Sequence, residues 1–134
     1  MTDMAPAQHP ATDEAGLTAA LDRLDTINRQ LAETARRGGE GAGAAIVSLR
    51  YDFATECGNL LLAMCDDERV FGQRELFAEL QTGLDTLRSR VTNHQLRWQG
   101  DKIEHDQAGY SEAAGHLNAA VTGFIAHCRA AIDG

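Results

Sequence analysis

The chain has 134 residues, 43% of them hydrophobic, and a formal charge of −8. That is enough apolar material for one self-sufficient domain and too much for a disordered chain. A surface this negative repels phosphate backbones and anionic headgroups, which argues against nucleic acid and membranes and leaves a protein or small molecule as partner.

The longest strictly apolar run, Leu60–Cys65, is far shorter than the ~20 residues a membrane-spanning helix needs. No basic segment followed by an apolar one marks a secretory signal. Three cysteines in no C-x-x-C arrangement fit a reducing cytoplasm better than a disulfide framework. Both prolines lie in the first ten residues, so long uninterrupted helices are permitted downstream.

Residues 1–12, His9 among them, show no periodicity and are expected to form a disordered tail ahead of a single domain over 13–134. A first helix is expected from Asp13 to Arg37. Leu17, Leu21, Leu24, Leu31 and Ala35 keep a three-then-four spacing on one stripe. Asp13 and Glu14 sit at its positive pole, Arg36 and Arg37 at its negative pole, and Gly38–Gly39 end it. The connector Gly38–Gly43 follows a helix rather than a strand, so it lacks the setting of a phosphate-binding glycine loop.

A second helix, Ala44–Met64, carries Ile46, Leu49, Phe53, Cys57, Leu60 and Met64 on one stripe. Val47, Ala54 and Leu61 widen that stripe, which predicts a deeply buried helix. Val70, Phe77, Leu84, Val91 and Trp98 then recur every seven residues, with Leu80, Leu87 and His94 at the same step. Two interleaved rows predict a long third helix over Val70–Trp98 packed along its whole length. Gly72 either costs this helix about 1 kcal/mol relative to Ala or marks its true start. Asp101–Gly109 reads as loop or ragged helix. A fourth helix, Tyr110–Ile132, buries Tyr110, Ala114, Leu117, Val121, Phe124 and Cys128. Nothing alternates at period two, so the expected fold is all-α, an antiparallel up-and-down four-helix bundle.

His94 occupies a core row and needs a partner for at least one ring nitrogen, for which Tyr110 or a backbone carbonyl is the simplest choice. His116 and His127 fall on the shoulder of the fourth helix's apolar stripe. Folding the bundle on paper brings Cys57 and Cys128 into one layer with His127 at its edge. His94, Cys57, His127 and Cys128 are therefore the candidate ligands for a metal or cofactor, zinc or haem by donor type. No cofactor is required by any motif, however, and small buried cysteines commonly just fill a core.

His94-Gln95-Leu96-Arg97 is similar to the HxLK start of a histidine phosphotransfer domain, itself a helical bundle. The resemblance implies an exposed, phosphorylatable His94 steadied by the charge of Arg97. Trp98 stands where that family places glycine. Hemerythrin-like bundles also have four helices, but their HxxxE and HxxxH ligand pairs are missing: Trp98 follows His94 by four, and Ala120 follows His116 by four.

Nucleophile elbows, zinc-protease motifs and glycine loops after strands are all lacking. The favoured reading is a cytoplasmic, non-enzymatic acidic protein acting by protein–protein binding, as a regulator, adaptor or chaperone-like module. Its wide apolar faces suggest a homodimer. The alternative is a sensory bundle holding a metal, haem or small ligand through its core His and Cys. The third is a phosphotransfer protein using His94.

Overall fold

Residues 16–133 are described by the computed structural model, and they form helices with no strand among them. The tail expected over 1–12 and the Asp13–Glu14 helix start lie outside the described residues. In chain order the helices are α1 (Leu17–Arg37), α2 (Ala42–Asp66), α3 (Glu68–Phe71), α4 (Arg74–Arg97), α5 (Gly100–His105) and α6 (Gln107–Asp133).

Helix α1 buries Leu17, Leu21 and Leu24 of the stripe its spacing predicts, with Ala20 and the polar residues Asn28 and Thr34, while Leu31 and Ala35 are half-buried. It ends where Gly38 turns into positive φ (58°) and donates its backbone N–H to the Thr34 carbonyl at 3.0 Å. Gly39 and Gly41 also hold positive φ (88° and 87°). That left-handed backbone is cheap only for glycine, and it lets the chain reverse into α2 within four residues.

The long third helix expected over Val70–Trp98 is divided. Asp67 caps the short α3, accepting the Arg69 backbone N–H at 2.9 Å and pairing with the Arg69 guanidinium at 2.7 Å. The helix breaks at Gly72 and Gln73 before α4 begins, and a Cβ at Gly72 would lie 2.6 Å from the Glu68 carbonyl oxygen, so the break is closed to larger residues. Val70 and Trp98 are nevertheless buried, flanking α4 rather than belonging to it. The 24 residues of α4 span about 36 Å at the α-helical rise.

The segment expected as loop or ragged helix is helix interrupted at Asp106: α5 and the first turn of α6. Ile103 anchors α5 in the interior, and Glu104 accepts the Gly43 backbone N–H at 2.9 Å. A carboxylate at the N-terminus of α2 satisfies one of the donors left free there.

Helices α1 and α2 pack together, as do α1 with α6 and α4 with α6. Arg129 bridges Asp22 at 2.7 Å while Asn28 meets Asn118 and Thr122, so α1 and α6 run antiparallel. Glu79 against His127 and His94 against Tyr110 set α4 and α6 antiparallel in the same way. Two apolar clusters fill the interior. The larger holds Leu21, Leu24, Phe53, Leu60, Leu80, Leu84 and Ile125; the smaller holds Ile46, Trp98, Ile103 and Tyr110. No helix among the described residues is long and apolar enough to cross a membrane.

Candidate functional site

Each long helix presents an apolar row at three-then-four spacing, and each row is interrupted by one polar group, the Trp98 indole aside. On α1 the row runs Leu21, Leu24, Asn28, Leu31. On α2 it runs Ile46, Arg50, Phe53, Cys57. On α4 it runs Leu87, Val91, His94 and continues to Trp98 just past the helix end, and on α6 it opens with Tyr110, Ala114, Leu117. Asn28, Arg50, His94 and Tyr110 all line one cavity of about 40 Å³, placed where the two apolar clusters meet.

The geometry around that cavity is specific. The His94 and Tyr110 rings lie 5.6 Å apart, and Trp98 meets Tyr110 edge-on at 5.7 Å. Burial, aided by the Arg50 and Arg97 charges, pulls the His94 imidazole down to about 4, so the ring is neutral at physiological pH. Burial also lowers Arg50, an effect opposed by the neighbouring Tyr110 hydroxyl. Among the described residues Arg50 Nη2 is buried without a hydrogen-bond partner, the guanidinium's side-chain hydrogen bond being with the Tyr110 hydroxyl. Asn28, by contrast, donates to the Asn118 carbonyl at 3.3 Å and to Thr122 Oγ1 at 3.2 Å, and Asn118 Nδ2 returns a bond to the Asn28 carbonyl at 3.1 Å.

On the outer side of His94 lies an open groove of about 260 Å³ lined by Arg90, Asn93, Arg97 and His116. His94 and Leu117 border both spaces and stand between them. Among the described residues, neither space has an acidic residue in its wall.

The other sequence candidates lie elsewhere. Cys57 and Cys128 are buried in the larger cluster, where burial pushes their thiols up to about 11 and about 12. His127 is exposed and pairs with Glu79 at 2.5 Å. Glu79 is fifteen residues from His94 on α4, or about 22 Å along the axis, so His94 and His127 do not share a centre. No group of three or more His, Cys, Asp or Glu able to hold a metal occurs among the described residues. His116 and His127, expected half-buried on a shoulder, are both exposed. His94 is half-buried against Tyr110, whereas a phosphotransfer histidine must be open to its partner, and Arg97 lies in the wall of the outer groove.

A second feature is a face of α2. Ala44, Tyr51, Ala54, Thr55, Leu62 and Cys65 are exposed on one stripe, with Val47 and Gly58 half-buried between them. Tyr51 is 74% exposed and Leu62 66%, and no charged residue interrupts the stripe from Ala44 to Cys65. The helix expected to be deeply buried is thus buried on one side only, because α1, α3, α4 and α5 all approach it from that side.

Arg50 and Asn28 escape a reading of apolar spacing, which takes Leu49 in place of Arg50 and steps from Leu24 to Leu31. The usable signal is the reverse one: a polar residue sitting at a row position where Leu would continue the pattern. No family model matches the chain, and no match is found among curated proteins or solved structures.

Proposed function

We propose that this chain is a non-enzymatic, cytoplasmic protein that acts by protein–protein binding, as a regulator, adaptor or chaperone-like module does. Its four long helices are read as an antiparallel up-and-down four-helix bundle, a reading supported by the antiparallel α1/α6 and α4/α6 pairs. The observation that carries the function is the uncharged stripe of α2, with Tyr51 and Leu62 open to solvent.

The first occupant of that stripe is a second copy. A chain of charge −8 repels another over most of its surface, and the stripe is a long strip without charge. It is also self-complementary. In an isologous antiparallel pairing centred between Glu56 and Cys57, Tyr51 of one copy covers Leu62 of the other and Thr55 meets Gly58. Burying two tyrosines and two leucines yields about 6–12 kcal/mol at about 1.5–3 per side chain. Association costs about 4–15 kcal/mol, so the pair is reversible and concentration-dependent rather than permanent. The free thiols of Cys57, Cys65 and Cys128 suit a reducing cytoplasm.

Thr55→Cys in a Cys65→Ser background tests the pairing. Mild oxidation is expected to join two copies through position 55, while the same change at exposed Ser89 on α4 leaves the chains apart. Crosslinking no faster at position 55 than at 89 overturns this reading.

A further inference from the structure

Arg50 presents a problem that the protein's own side chains answer only in part, through a hydrogen bond with the Tyr110 hydroxyl. A guanidinium keeps its charge at any ordinary pH, so it cannot escape burial by neutralising. Among the described residues Nη2 is buried with no acceptor, and no carboxylate lines the cavity beside it. Removing a donor of a charged group from water without a partner is costly. An acceptor for Nη2 must therefore come from outside the chain, as water or as an anion that displaces it.

Three observations narrow its chemistry. The cavity, at about 40 Å³, holds about three water-sized groups, which excludes a porphyrin, a nucleotide or a fatty chain. Its wall mixes apolar groups, Leu31, Phe53 and Val91 among them, with the hydrogen-bonding groups of Asn28, Arg50 and Tyr110. The charge available inside is one guanidinium, because the neighbouring His94 ring is neutral. A monoanion is balanced there; phosphate as a dianion is not. The flat fork of Arg matches a carboxylate in particular. Outside, Arg90, Arg97 and His116 line an acid-free groove that meets the cavity at His94. On a chain of charge −8, that groove is where an anion can approach.

We propose that the cavity where Asn28, Arg50, His94 and Tyr110 meet is a binding site for a small monocarboxylate, its carboxylate on Arg50 Nη2, admitted from the outer groove past His94. The short alkyl end of such a ligand lies against Phe53 and Val91. This site is distinct from the α2 face, and either can fail without the other.

The test is a titration of the chain with acetate at mildly alkaline pH, where inorganic phosphate is mostly dianion, followed by the side-chain NMR signals of Arg50 and the amide signals around Tyr110 and Asn118, at constant ionic strength. Saturable shifts at these positions are expected, with inorganic phosphate producing none there. Arg50→Gln is expected to weaken acetate by about tenfold or more. Ala114→Leu, which fills the cavity and leaves Arg50 in place, is expected to do the same and stands in if Arg50→Gln does not fold. Shifts that never saturate, shifts confined to Arg90, Arg97 and His116, or equal binding of phosphate would each overturn the proposal. So would acetate binding unchanged in the cavity-filled variant.

Discussion

Gly43 and Gly100 meet backbone to backbone: a Cβ built on Gly43 would sit 2.5 Å from the Gly100 carbonyl oxygen. The contact seats α5 across the start of α2, and the oxygen belongs to main chain that cannot swing aside. Gly43→Ala is therefore expected to destabilise the fold by about 1–3 kcal/mol. Gly115, exposed in mid-α6 with nothing within 4 Å of its Cβ position, gives the opposite sign. Gly115→Ala is expected to stabilise by about 0.5–1 kcal/mol. Urea unfolding of the two variants checks both; the same sign for both would contradict the packing.

Asn28 offers a test of the buried polar pair between α1 and α6. Its Nδ2 serves the Asn118 carbonyl and Thr122. Asn28→Asp keeps the shape, exchanges that donor for an acceptor and adds a buried charge. A loss of about 3 kcal/mol or more is expected, exceeding that of Asn28→Ala at about 1–3 kcal/mol. Equal losses in thermal unfolding would show that the donor does not matter.

The pH dependence of stability carries the signature of His94. In the unfolded chain the ring takes a proton near 6.5, and in the fold only near about 4. Between these values the unfolded state holds more protons, so stability is complete above 6.5 and falls as the pH drops through the window. Allowing for partial exposure of the ring, the loss is about 1–2 kcal/mol. His94→Gln is expected to flatten the profile over that interval by the same amount. An unchanged slope would mean that His94 titrates as it does in water.

Thiol chemistry separates the three cysteines. Cys65 is exposed, while Cys57 and Cys128 are buried with their thiols raised to about 11 and about 12. A thiol raised that far is thiolate in about one molecule per thousand or fewer at mildly alkaline pH. Alkylation of the native protein followed by peptide mass spectrometry is expected to find Cys65 modified first, and the other two only on unfolding. Labelling of Cys57 or Cys128 at a similar rate would contradict their burial.

Much of this fold is legible from spacing alone. The seven-residue rows find Leu80, Leu84 and Leu87 as core, and they find Val70 and Trp98 as buried even though both lie outside α4. Spacing leaves the break open, because the seven-residue rows run through Gly72; the alternative that Gly72 marks the helix start is the one the structure matches, with α4 beginning at Arg74. Helix α5 is equally hidden. Its single buried anchor, Ile103, sits among polar neighbours and makes no periodic pattern. The cavity fares better: His94 and Tyr110 stand out from their rows, while Arg50 and Asn28 are masked by the leucines beside them. Burial of α2 could not be judged from its own apolar faces, since covering a helix depends on what else approaches it.

The most direct test of the α2 face is sedimentation equilibrium over a wide range of protein concentration, comparing the natural chain with the double variant Tyr51→Glu, Leu62→Glu and the control Leu96→Glu on α4. The natural chain and the Leu96→Glu control are expected to associate reversibly to dimers. The double variant is expected to remain monomeric with undiminished helical circular dichroism. A natural chain that stays monomeric at every concentration, or a double variant that associates as strongly as the control, would contradict the account.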